Sequence, residues 1–230
     1  MANENDKSQE AIDSINQYAS SAPIPEASSI HCLTIVGHIE GHQAASDGSK
    51  TTKYEHLMPL IAAMEESSEV KGLLVLLNTA GGDVDAGLGI AELISGMRKP
   101  TASIVLGGGH SIGVPLAVSA KKSFIAPSAS MAIHPVRMNG LVIGVQQSFN
   151  YFQKTQDRVV NFVLSHSDIK REEFMELMMR TSELAHDVGS VINAEEAVDC
   201  GLIDQIGTLS DALGYLHNEI GKAENKSGGE

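Results

Sequence analysis

The chain has 230 residues, 42% of them apolar and 20% charged, an ordinary globular composition that excludes wholesale disorder and a coiled coil and favours one domain over two cramped ones. Its 29 acidic against 16 basic side chains give a formal net charge of -13, which repels phosphate backbones and anionic lipid, so nucleic acid is not an expected partner and membrane insertion is not expected either. No run approaches the ~18 apolar residues of a membrane span, no signal-like leader opens the chain, and Cys32 and Cys200 make neither a disulfide framework nor a zinc motif. The expectation is therefore a cytoplasmic protein without metal or cofactor, its two cysteines buried as small hydrophobes.

Residues 1–28 are polar and acidic and close on Ala22-Pro23-Ile24-Pro25, which neither continues a helix nor pairs inside a sheet, so a mobile arm is expected there. Residues 222–230 lack apolar periodicity and are expected to be a disordered tail, leaving 29–221 as the folded domain. Within it, strand-length apolar runs alternate with helical patterns: Cys32 to Val36, Leu73 to Leu77 and Ala102 to Leu106 as strands, His56 to Met64 and Val84 to Met97 as crossover helices, the latter stopped by Lys99-Pro100. That rhythm predicts a parallel α/β fold. Leu73 to Leu77 is apolar at every position, as a strand covered on both faces should be. Short apolar segments follow at Phe124 to Ala126 and Met131 to Ile133, then a helical stretch from about Val145 to Leu164. At ~1.5 Å per residue it reaches about 30 Å, more than this domain's core needs, and is expected to project and serve assembly. A helix near Ala194 to Cys200, a strand near Leu202 to Ile206 and a helix from Ser210 to Ile220 complete the body.

Two glycine clusters sit where a strand ends and a helix begins: Asn78-Thr79-Ala80-Gly81-Gly82-Asp83 and Gly107-Gly108-Gly109-His110-Ser111-Ile112-Gly113. The carboxyl edge of a parallel sheet is where such folds bind and react, and helix amino ends there present free N–H groups. Ser111 opens an apolar helix whose Pro115 is tolerable only in the first turn, so it is either a nucleophile facing the cleft or an N-cap. His134 ends the short strand Met131 to Ile133, where a neutral imidazole can serve as base for Ser111, the alternative being a satisfied core or surface histidine.

These segments carry a resemblance. Leu77 to Leu88, Gly107 to Gly113, Met131 to Pro135 and Ala194 to Asp204 resemble, in order and at compatible spacing, the glycine, nucleophile, histidine and "A-x-E-A-x-x-x-G-L-[IV]-D" segments of ClpP peptidases. The resemblance implies a ClpP/crotonase-type spiral of β-β-α units, with the long helix as a handle that joins rings. It also implies an ATP-dependent Clp-type serine endopeptidase that cleaves peptides or unfolded proteins inside a homo-oligomeric chamber, fed by an ATP-driven unfoldase. Ser111 would be nucleophile and His134 general base, and the N–H groups of Gly82 and Ile112 would form the oxyanion hole. The family's pattern puts Gly189 where the acid that orients the histidine usually stands. Asp187, two residues earlier, is the candidate substitute, or else a solvated loop acid, and the peptidase is expected to be weak or the chain a catalytically impaired scaffold or regulatory subunit. A further alternative is an α/β-hydrolase esterase, since Gly109-His110-Ser111-Ile112-Gly113 also satisfies the G-x-S-x-G elbow with Asp204 and His217 following in order.

Overall fold

The computed structural model describes residues 28–43, 45–46, 48–137, 143–181 and 188–227; the arm expected at 1–28 and the end of the tail, 228–230, lie almost wholly outside these residues. The strands are β1 (Ile30–Glu40), β2 (Thr51–Lys53), β3 (Gly72–Gly82), β4 (Thr101–Gly109), β5 (Lys122–Ile125), β6 (Ser130–Ile133), β7 (Ser190–Asn193) and β8 (Gln205–Ile206). The helices are α1 (Tyr54–Glu66), α2 (Val84–Ser95), α3 (Gly113–Val118), α4 (Val145–Ser165), α5 (Arg171–Met179), α6 (Ala194–Asp199) and α7 (Leu209–Ser227). A parallel sheet runs in the order β2-β1-β3-β4-β5-β8, and β6 leaves it to pair β4 at Gly108↔Ser130 and, antiparallel, β7. This is the α/β fold that the strand–helix alternation predicts.

Central β3 is covered on both faces. On one side Leu33, Ile35, Leu73, Val75 and Leu77 pack with Ile61, Ile90 and Leu116 from the crossover helices. On the other, Leu74, Ala102, Ile104 and Phe124 receive Ala212, Leu216 and Ile220 of α7. Burying a side chain of this kind is worth about 1.5–3 kcal/mol, so this double cover holds the strand ends, and the loops they carry, in place.

Several boundaries differ from the sequence reading. Strand β3 runs five residues past Leu77, because its pairing with β1 resumes beyond an irregularity at Gly37/His38 and continues to Ile39↔Gly82; the first glycine cluster is strand almost to its end. Helix α7 continues through Ser227 where an unstructured segment was expected from 222. Extending a helix that is already nucleated adds one backbone bond per residue, and Lys222, Ala223 and Glu224 are good helix formers. Cys32 is exposed and Cys200 half-buried rather than both buried. Helix α7 packs over β3 and β4 and leaves the β1 face around Cys32 uncovered. Strands β2 and β7 and helix α5 were not foreseen.

Helix α4 buries only Thr155, Val160, Phe162 and Val163, all in its second half. Its first half stands away from the core with Val145 81%, Phe149 60% and Tyr151 55% exposed. No described helix is long and apolar enough to cross a membrane.

Candidate active site

The carboxyl ends of β3, β4 and β6 meet in a cleft of about 250 Å3 lined by Gly82, Ser111, Ile112 and His134, with an apolar floor that includes Val84, Val159, Phe174 and Met178. The structure thus brings together four of the five residues singled out in the sequence. The fifth, Asp187, lies outside the described residues. Asp204 and His217 do not line the cleft. The Asp204 carboxylate accepts hydrogen bonds from the Ser123 N–H and hydroxyl, both at 2.7 Å, and His217 sits on α7 across the sheet. The esterase arrangement is therefore not assembled.

Ser111 has φ 57°, the sole positive φ among the described non-glycine residues. Such a conformation costs about 1–3 kcal/mol and persists where surrounding contacts over-determine it, most often at functional sites. Here the contacts are explicit. The His110 N–H donates to the Thr79 carbonyl at 3.1 Å, the Ser111 N–H to the Ala132 carbonyl at 2.8 Å, and the Gly113 N–H to the His110 carbonyl at 2.8 Å. The N-cap position of α3 belongs to Ile112 and has no side-chain cap bond, so the capping alternative for Ser111 falls away. No hydrogen bond holds the Ser111 hydroxyl to another described residue, His134 included.

The two N–H groups singled out in the sequence, those of Gly82 and Ile112, lie on the same turns. The N–H groups on either side of Ile112 are taken by carbonyls, and among the described residues no carbonyl takes the Ile112 N–H. On the facing strand, buried Thr79 accepts from the Gly81 N–H at 3.0 Å while its hydroxyl donates to the Gly37 carbonyl at 2.6 Å. The Asp83 N–H goes to the Ile39 carbonyl at 2.9 Å on the β1 side. Strand N–H groups alternate sides, so the Gly82 N–H is directed to the cleft side, past the end of β4. Gly81 lets this strand approach Ser111, for a Cβ there would stand 2.6 Å from that of Ser111.

His134 Nδ1 lies 2.8 Å from the Pro135 carbonyl oxygen. A carbonyl only accepts, so this contact puts the proton on Nδ1 and leaves Nε2 as the basic nitrogen. Gly189 (φ 132°) packs directly on the histidine backbone: a Cβ at this position would meet the Ile133 carbonyl oxygen at 2.4 Å and the His134 Cβ at 2.7 Å. The glycine is thus a tight fit against His134. Beside Ser111, burial pushes the His110 imidazole below the ordinary histidine range, and the charge of nearby His134 adds to that shift. His38 also lines the cleft. Neither His38 nor the α5 side chains Phe174 and Met178 carried a signal in the sequence, since only the tertiary fold brings β1 and α5 to the cleft that Ser111 lines. Among the described residues there is no cluster of His, Cys, Asp or Glu able to hold a metal ion.

The Clp protease family model matches residues 34–210, and the chain belongs to that family. It is 51% identical over 214 residues to the translocation-enhancing protein TepA of Halalkalibacterium halodurans, a match covering 93% of this chain and 84% of the relative. It is also 31% identical over 154 residues to the ATP-dependent Clp protease proteolytic subunit of Leuconostoc citreum (64% of this chain, 72% of the relative). With the ATP-dependent Clp protease proteolytic subunit 1 of Chlamydia abortus it shares 28% identity over 149 residues (62% and 73%).

Proposed function

We propose that the chain is a serine endopeptidase that cleaves peptides or unfolded proteins through an acyl-enzyme. Ser111 is the nucleophile, His134 Nε2 takes its proton and later returns it to the leaving amine, and the N–H groups of Gly82 and Ile112 stabilise the oxyanion. The observation that carries this reading is the left-handed Ser111 (φ 57°) in a cleft it shares with His134, Gly82 and Ile112. The apolar floor suits an uncharged side chain of the substrate next to the scissile bond.

Two groups compete to orient His134. One is Asp187; the other is the Pro135 carbonyl, which already holds Nδ1. With the carbonyl alone, turnover is weaker than that of an enzyme whose acid is buried against its histidine, because loss of the triad acid costs about four orders of magnitude in kcat in a well-characterised serine protease. The protein assembles into a homo-oligomeric ring or stacked rings through the projecting half of α4, whose Val145 and Phe149, one turn apart, and Tyr151 on the other side are large apolar side chains left exposed for an interface to cover. It is cytoplasmic, and an ATP-dependent unfoldase delivers its substrates. The names of two relatives, both called ATP-dependent proteolytic subunits, support the last statement.

Labelling with a serine-reactive fluorophosphonate, with Ser111→Ala as control, tests the proposal. A labelled wild type and an unlabelled variant are expected, and equal labelling of the two would sink the assignment of Ser111. A second reading, a catalytically impaired scaffold or regulatory subunit, draws on the missing bond between the Ser111 hydroxyl and His134; it predicts that neither protein labels.

A further inference from the structure

We propose that His110 is the positioning residue that holds the strand carrying His134 in register with Ser111, and that it does so only as a neutral imidazole. Strand β6 ends one residue before His134, yet its ladder with β4 consists of the single pair Gly108↔Ser130. Beyond that pair the connection runs through one residue, Ala132. Its carbonyl accepts the Ser111 N–H at 2.8 Å, and its own N–H donates to His110 Nδ1 at 3.0 Å. The imidazole thus takes the place that a backbone carbonyl would hold if β4 continued. The dipeptide His110-Ser111 grips Ala132 from both sides, and the nucleophile and its base share the grip. The ring packs over Gly108, where a Cβ would come within 2.6 Å of Nε2, so the glycine run before Ser111 also clears a seat for this side chain.

An Nδ1 that accepts carries no proton, so His110 is the Nε2–H tautomer. Protonation would place two donors face to face, Nδ1–H against the Ala132 N–H, and break the His110 side of the grip. Burial opposes that protonation and keeps the link intact through the neutral range. Among the described residues, His134 is the titratable group whose charge bears on His110. Strands β3, β4, β6 and β7 and helix α3, which pack around it, contain no ionisable side chain. A histidine whose protonation is suppressed in the folded state contributes stability that is complete above its unfolded pKa of about 6.5 and is lost as pH falls below it.

The proposal rests on the Ser111–His134 reading for its catalytic consequence, but the grip on Ala132 can be measured without it. Asn in place of His110 puts Oδ1 where Nδ1 stands, an acceptor that does not titrate, whereas Gln reaches only the Nε2 position. In the full chain, exchange of the Ala132 amide is followed by NMR between pH 5 and 8, beside the fluorophosphonate labelling rate. The wild-type amide is expected to lose protection as pH falls below about 6.5. His110→Asn should keep it protected throughout, and His110→Gln should lose protection by at least about tenfold at every pH, the scale of one buried hydrogen bond. Labelling should follow the same order, with a steeper acid limb for wild type than for His110→Asn. Ala132 protection indifferent to pH and to both variants, or His110→Asn as unprotected as His110→Gln, would overturn the proposal whatever the labelling shows. Failure of Ser111→Ala to abolish labelling, with the protection pattern intact, would instead overturn the peptidase reading alone.

Discussion

Putting the family's acid back at Gly189 should harm the protein, not repair it. Gly189 has φ 132°, its N–H is held by the Arg180 carbonyl at 2.7 Å, and the next residue begins the β7 ladder at Ile133↔Ser190. The atoms a Cβ would strike are the Ile133 carbonyl oxygen and the Cα and Cβ of His134, none of which is the far end of a flexible side chain. The left-handed backbone costs a substituted residue about 1–3 kcal/mol, and the overpacking a further 1–3 kcal/mol or so. A total of about 4 kcal/mol, at roughly 2–4 °C per kcal/mol for a domain of this size, lowers Tm by about 8–16 °C. Gly189→Asp and Gly189→Ala should fall together, because the cost is steric and belongs to the Cβ. Labelling by fluorophosphonate should drop in both as His134 is pushed from its place. The assay is a thermal melt of the three proteins at one chain concentration, since assembly makes Tm concentration-dependent, paired with the labelling rate. A Gly189→Asp protein that melts within about 2 °C of wild type and labels faster than Gly189→Ala would refute the reasoning, and would mean that the position accepts a side chain that reaches the imidazole.

Asp187→Asn should lower peptide turnover by about two to four orders of magnitude if Asp187 orients His134, and leave it within about twofold if it is a solvated loop acid; assembly should be intact in either case. Phe149→Glu combined with Tyr151→Glu should convert the assembly to smaller species in native mass spectrometry, because both rings are more than half exposed and the charges would have to be buried in an interface. Unchanged oligomers would remove α4 from the assembly surface. Thr79→Val should cost about 2–5 kcal/mol in chemical denaturation, since a methyl in place of the hydroxyl leaves the Gly37 carbonyl and the Gly81 N–H without their partner. The same variant should slow labelling, as the Gly82 donor loses its support.

What the sequence made legible were the parts governed by local rules. Leu73 to Leu77 had to lie in mid-sheet because no polar face was available to meet water, and both of its faces are indeed covered. Glycine clusters after such strands marked the edge of the sheet where the cleft lies, and a serine followed by a helix starting at Gly113 marked a residue that lines it. Long-range geometry was not legible. Nothing local in Ser190 to Asn193 reveals that this segment pairs antiparallel with β6 and presses Gly189 against His134. His110 gave no signal of its own beside three glycines and a serine, because its role depends on an N–H contributed by a strand 22 residues away.

The remaining question at the site is how much an acid matters when a carbonyl already occupies its place. A base histidine needs its tautomer fixed and its cation stabilised. The Pro135 carbonyl meets the first need fully, since it can only accept from Nδ1–H. It meets the second in part, because a neutral acceptor bonds the imidazolium but carries no full negative charge to set against it, as a carboxylate does. A site organised in this way would hold Ser111 and His134 ready for attack yet pass the imidazolium state slowly. Acylation by an activated reagent, whose leaving group needs little help from the acid, would then be far less impaired than hydrolysis of a peptide bond, whose amine must be protonated as it departs. The ratio of fluorophosphonate labelling to peptide turnover therefore reports which group orients His134. A high ratio unaffected by Asp187→Asn assigns the role to the carbonyl, and a ratio that climbs by orders of magnitude in that variant assigns it to Asp187.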